Sequence, residues 1–146
     1  MLTKAAVLPR AVLLSSFIFL AHLVLAAGSA QAQVTAFKQA IAEAAAKDRD
    51  LAAYYRSNGY DVVWTGTSEA DQARRAALFE AIAAAEDHGL PVARYDSDGL
   101  KTMLREARSA RDLGLAEVAM SRAFLQLARE MQTGVLIPGQ VVSNIK

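Results

Sequence analysis

From residue 34 onward, apolar and polar positions alternate with helical period. Phe37, Ile41, Ala44 and Ala45 fall on one face of a segment that has few helix breakers between Val34 and about Lys47. Its alanines are strong helix formers. Asp48 or Asp50 then offers a cap for a second helix through Leu51 to Arg56, and Asn58-Gly59 stops it, because glycine enters the left-handed C′ conformation at little cost. Tyr60 to Trp64, β-branched and aromatic, reads as a short extended segment too brief to make a sheet. Ser68 or Thr67 caps the next helix, whose first turn carries Glu69 and Asp71 and whose buried face is Leu78, Phe79, Ile82 and Ala85. Gly89 ends it and Pro91 bars continuation. A further helix follows Asp96, with Leu100, Met103, Leu104 and Ala107 opposite Lys101, Arg105 and Arg108. The last runs from near Asp112 to Gln132. There Met120, Phe124, Leu127 and Met131 share one line that Leu125 and Ala128 widen, which predicts the most buried helix of a small bundle. The fold class is all-α, with four to five helices and one short extended segment.

The amino terminus reads differently. Lys4 and Arg10 precede an apolar run from Ala11 to Ala27, and Ala30-Gln31-Ala32 stands in the position of an A-x-A cleavage triplet. This pattern predicts a secretory signal over residues 1–32, cleaved after Ala32, with a retained membrane anchor as the alternative. The expected mature part, residues 33–146, holds 114 residues, enough for one domain that folds without staples. The chain has no cysteine, so an exported form has no disulfide framework. Setting aside Lys4 and Arg10, 14 basic side chains face 15 acidic ones in an interspersed pattern. That gives no electrostatic footprint for nucleic acid, and contact with a membrane is expected only if the signal stays uncleaved.

The chemistry available to the mature part is thin. Nucleophilic catalysis requires an activated nucleophile and an oriented base, and one histidine, His88, remains beyond residue 32. His88 precedes Gly89 at a predicted helix C-terminus, a position that suits an imidazole capping the last carbonyls. Glu86-Asp87 and Asp96-Ser97-Asp98 flank turns and read as solvated helix ends and N-caps. A zinc site needs three or four convergent ligands, and a phosphate loop needs a glycine spacing that neither Asp98-Gly99 nor Gly134 to Gly139 supplies. No catalytic, cofactor-binding or metal-binding residue is therefore assigned, and no cofactor is expected. Trp64, beside Tyr54, Tyr55 and Tyr60, could stack on a sugar or pack in a core. Its place in a short segment between helices favours packing.

Taken in order, Tyr54-Tyr55, Gly59-Tyr60, Trp64-Thr65, His88-Gly89-Leu90 with Tyr95, and Thr133-Gly134 resemble the amino-terminal scaffold domain of bacterial murein L,D-transpeptidases. The resemblance spans nearly the whole expected mature chain and departs at Val62, where that family often carries proline. It implies a periplasmic protein of cell-wall metabolism whose fuller relatives continue into a peptidoglycan-binding segment and a catalytic domain with a cysteine nucleophile. Residues Val141 to Lys146 read as the start of a connection to such a part. The expected function is thus a non-catalytic scaffold, a truncated or split form without the cysteine domain, whose partners are a transpeptidase catalytic module or peptidoglycan-associated proteins. A free-standing exported binding or adaptor module is the alternative.

Overall fold

The computed structural model describes residues 33–135. The expected signal over residues 1–32 and the expected connection over residues 141–146 lie outside the described residues. Within them the chain forms helices only. They are α1 (residues 33–45), α2 (Arg49–Ser57), α3 (Glu69–Ala83), α4 (Ser97–Glu106) and α5 (Ala110–Thr133), with two short 3-10 helices at Ala84–His88 and Val92–Tyr95. No helix among the described residues is long and apolar enough to cross a membrane.

Local chemistry sets the boundaries. The Asp48 carboxylate accepts from the amides of Asp50 and Leu51 and starts α2. Ser68 and Asp71 form a reciprocal capping box at α3, and Ser109 with Asp112 does the same for α5, so that helix begins two residues before Asp112. Asp96 caps α4 from a left-handed conformation, its carboxylate taking the Gly99 amide. Gly89, at φ 71°, closes the 84–88 turn, and the amides of Gly89 and Leu90 return to the carbonyls of Glu86 and Ala85.

Helix α5 is the spine. One cluster gathers Trp64, Leu78, Ile82, Tyr95, Leu100, Met120 and Leu127, and a second gathers Ile41, Ala45, Leu51, Tyr55 and Val118. Both draw on α5, which is apolar on two sides because α1 and α2 cover one flank while α3 and α4 cover the other. Gly114 permits a close approach of α1. A Cβ there would lie 2.8 Å from both the Ala40 Cβ and the Phe37 carbonyl oxygen.

Two expectations need correction. Tyr60 to Trp64 makes no sheet, in keeping with its brevity, but it is not extended throughout: Tyr60 sits at φ 60° and the chain bends through residues 63–65. The apolar line on α5 is also not uniformly buried. Met120 and Leu127 are, but Phe124 is 46% and Met131 51% exposed, because the covering helices stop short of the outer part of that arc.

Candidate functional site

The segment from Asp61 to Thr67 joins α2 to α3 without making a single backbone ladder, so its polar groups must find other partners. They find them on two helices. Glu117, on α5 and fully buried, receives the amides of Val63 (2.8 Å to Oε1), Trp64 (3.0 Å to Oε2) and Thr65 (2.9 Å to Oε2), together with the Thr65 hydroxyl (2.9 Å to Oε2). From the opposite side Arg74 donates to the Val63 carbonyl, and Arg75 donates to the carbonyls of Trp64 (2.5 Å) and Gly66 (2.7 Å). A carboxylate thus gathers the donors of the segment while two guanidiniums gather its acceptors.

A hydroxyl relay extends this arrangement into the core. The Trp64 indole N–H donates to Ser121 Oγ (2.8 Å), Ser121 lies 2.6 Å from the Tyr55 hydroxyl, and that hydroxyl donates to Glu117 Oε1 (3.0 Å). Each group has a donor on one side and an acceptor on the other, so the circuit is self-consistent. Burial, more than any other cause, raises the Tyr55 phenol well above its ordinary range, opposed by the bond to Ser121. A second polar cluster sits at the far end of α5. Glu130 accepts from Arg94 (2.8 Å), Gln126 (3.1 Å) and the Tyr95 hydroxyl (2.7 Å). The Arg94 bond, aided by Tyr95 and Gln126, holds Glu130 below the usual glutamate value against its partial burial. Burial and the bond to Glu130 push Tyr95 up to about 12.

Above this polar floor lies an apolar surface. Trp64 is buried to 5% exposure and its ring packs 5.6 Å from that of Phe124. On one side of the pair a furrow of about 320 Å³ is lined by Leu51, Tyr54, Val63 and Leu125 and rimmed by the Asp50–Arg129 ion pair. On the other side a furrow of about 270 Å³ runs between α3 and α5, lined by Ala77, Leu78, Ala81, Leu127 and Met131. Half-exposed Tyr54, Phe124 and Met131 belong to this face, more contiguous apolar surface than scattered side chains present.

The expected packing role of Trp64 is what the structure shows. His88 does not cap a helix. Its imidazole is exposed and makes no hydrogen bond among the described residues, because backbone amides already occupy the carbonyls of Ala85 and Glu86. Asp96 does serve as a cap, while Glu86 and Asp87 stay exposed. Arg74 and Arg75, on α3, reach back to the 61–67 segment. Glu117 and Ser121 were missed. Their signal was a charged residue inside an apolar stretch, Ala116-Glu117-Val118, with a serine one turn later on the same face.

Comparison with known proteins gives one family: the model described as Scaffold domain matches residues 49–146. No curated protein and no solved structure matches the chain.

Proposed function

The chain belongs to the Scaffold domain family, and we propose that it is the non-catalytic, periplasmic scaffold of a peptidoglycan cross-linking protein of the L,D-transpeptidase type. In this reading it holds a catalytic module that supplies the cysteine nucleophile, since these 146 residues contain no cysteine. The family match, two thirds of the chain long, is the observation that carries the reading. The interior supports it. Its buried polar groups, Glu117, Ser121 and Tyr55, are spent on one another and on the 61–67 backbone, which makes a rigid body rather than a poised reaction centre.

The test is an incubation of the purified domain with muropeptide donor and acceptor, alone and beside a separately expressed cysteine module. The domain alone should yield no cross-linked product. With the module it should form a complex that raises the module's melting temperature by mass action. Product from the domain alone refutes the scaffold reading, and a module whose melt does not move refutes the partner. For the compartment, mass spectrometry of the exported protein should find Gln33 as the first residue. A species still carrying Phe17 to Leu25 would instead mean a membrane anchor.

A further inference from the structure

Phe124 stands as a ridge between the two apolar furrows, and the larger of them, between α2 and α5, is rimmed by a matched pair of charges. The Phe124 ring walls this furrow of about 320 Å³, which Tyr54 lines from α2, and both rings are about half exposed. Ser121, Leu125 and Arg129 recur at every fourth position of α5 and so line the furrow from one face of that helix. On the rim Arg129 meets Asp50 at 3.2 Å, with side chains 57% and 76% exposed, so both charges stay open to a further partner.

A knob beside a hole of the same apolar chemistry lets a surface complement itself, because a two-fold axis brings the knob of each copy to the hole of the other. The rim has the same property in charge. A partner of single sign would attract one of Asp50 and Arg129 and repel the other, whereas a second copy offers one of each. We propose that the α2–α5 furrow is the contact surface of a symmetric homodimer. Its two-fold axis runs along α5, setting Phe124 of each copy into the other's furrow and Arg129 of each opposite the other's Asp50. Area sets the strength of this contact. A fully buried aromatic side chain covers about 150–250 Å², so half-exposed Phe124 and Tyr54 together offer roughly that much. A standard interface buries about 800 Å² per partner, a little over half of it apolar, so the two rings supply about half of the apolar share. The dimer is therefore weak and concentration-dependent rather than obligate. No catalytic module enters this contact, so its test contains none and its failure leaves the scaffold reading untouched.

Sedimentation equilibrium of the exported chain at low salt, from about 1 µM to about 1 mM, should show monomer passing reversibly into dimer. Phe124→Ser should raise the dissociation constant on the order of tenfold, and an unchanged constant overturns the proposal. Because that variant also loses its contact with Trp64, the decisive measurement uses the exposed rim. Asp50→Arg alone and Arg129→Asp alone each set like charges across the axis, and each should dimerise on the order of tenfold more weakly than the native chain. Mixed one to one, the two variants should pair with each other on the order of tenfold more tightly than either pairs with itself, since the mixed dimer has opposite charges at both contacts. An ion pair that acts only within one chain cannot give this rescue, because mixing leaves the rim of each chain as it was. Equal association in mixed and unmixed samples overturns the proposal. So does a chain that stays monomeric at about 1 mM, which would leave the furrow to a partner of other chemistry, and so does a mass that grows past two copies, which would mean a contact without a closing axis.

Discussion

Replacing Glu117 by glutamine isolates what its carboxylate does, since shape and volume are nearly kept. Both oxygens are acceptors in the native arrangement. Oε1 takes the Val63 amide and the Tyr55 hydroxyl, Oε2 takes the Thr65 amide and hydroxyl, and the Trp64 amide lies between them at 3.2 and 3.0 Å. Glutamine puts an NH2 donor at one of these positions. The Tyr55 or Thr65 hydroxyl can rotate to accept from it, but the backbone N–H behind each one cannot. At least one buried amide is then left facing another donor, at about 1–3 kcal/mol, and the surviving bonds lose the extra strength of a charged acceptor. The expected loss is about 2–4 kcal/mol. Glu117→Ala removes every acceptor and adds a cavity. Its loss should exceed that of glutamine and approach the whole stability of a small domain, roughly 5–15 kcal/mol. Urea melts followed by far-UV circular dichroism read both. With a slope of about 1–3 kcal/mol/M, glutamine should lower the midpoint by about 1–2 M. A glutamine variant that melts with the native protein would refute the reasoning, because the segment would then be held by side-chain packing alone.

The remaining expectations concern the same body. Trp64→Ala should cost about 3–5 kcal/mol in the same melts, as expected for a buried ring, and an unchanged midpoint with loss of wall binding would mean that the ring is a recognition platform. Gly114→Ala gains about 1 kcal/mol of helix propensity but drives a methyl onto Ala40 and Phe37, an overpacking of about 1–3 kcal/mol, so a net loss is expected; a stabilised variant would show that α1 has room to move. Stability should fall at both pH extremes. Glu130, depressed in the folded state, contributes above its unfolded value near 4.3 and loses that contribution as acid protonates it. Tyr95, raised to about 12, contributes fully below the unfolded value near 10 and loses it as pH climbs toward 12. Chemical melts of Glu130→Gln between pH 2 and 6 should show a flatter acid arm than the native protein, and an identical slope would remove Glu130 from the account.

The helices were legible because their ends carry short-range chemistry. Asp48, Ser68 and Asp96 cap from within three residues of the amides they satisfy, and Gly89 and Pro91 act on their own backbone. The two 3-10 helices were not, since a tighter turn leaves no distinct period in so few residues. Periodicity also placed Met120, Phe124, Leu127 and Met131 on one line, correctly, but it says which way a face points and not whether anything lies over it. The Glu117 network was out of reach for a different reason. Its partners lie 52 to 62 positions away in the chain, and no local pattern links a glutamate on one helix to a bend two helices earlier.

The double clamp on the bend has a consequence for how other proteins can meet it. Residues 60–65, rich in aromatic and β-branched side chains, have the composition of a sticky sheet edge. Such edges recruit a guest chain by offering it a row of unpaired amides and carbonyls. Here the amides of Val63, Trp64 and Thr65 are consumed by Glu117, and the carbonyls of Val63, Trp64 and Gly66 by Arg74 and Arg75. Nothing remains for a visiting strand to zip onto at those positions. At those positions the bend resists β-augmentation and edge-on self-assembly, and a guest meets protruding side chains such as Val62 instead.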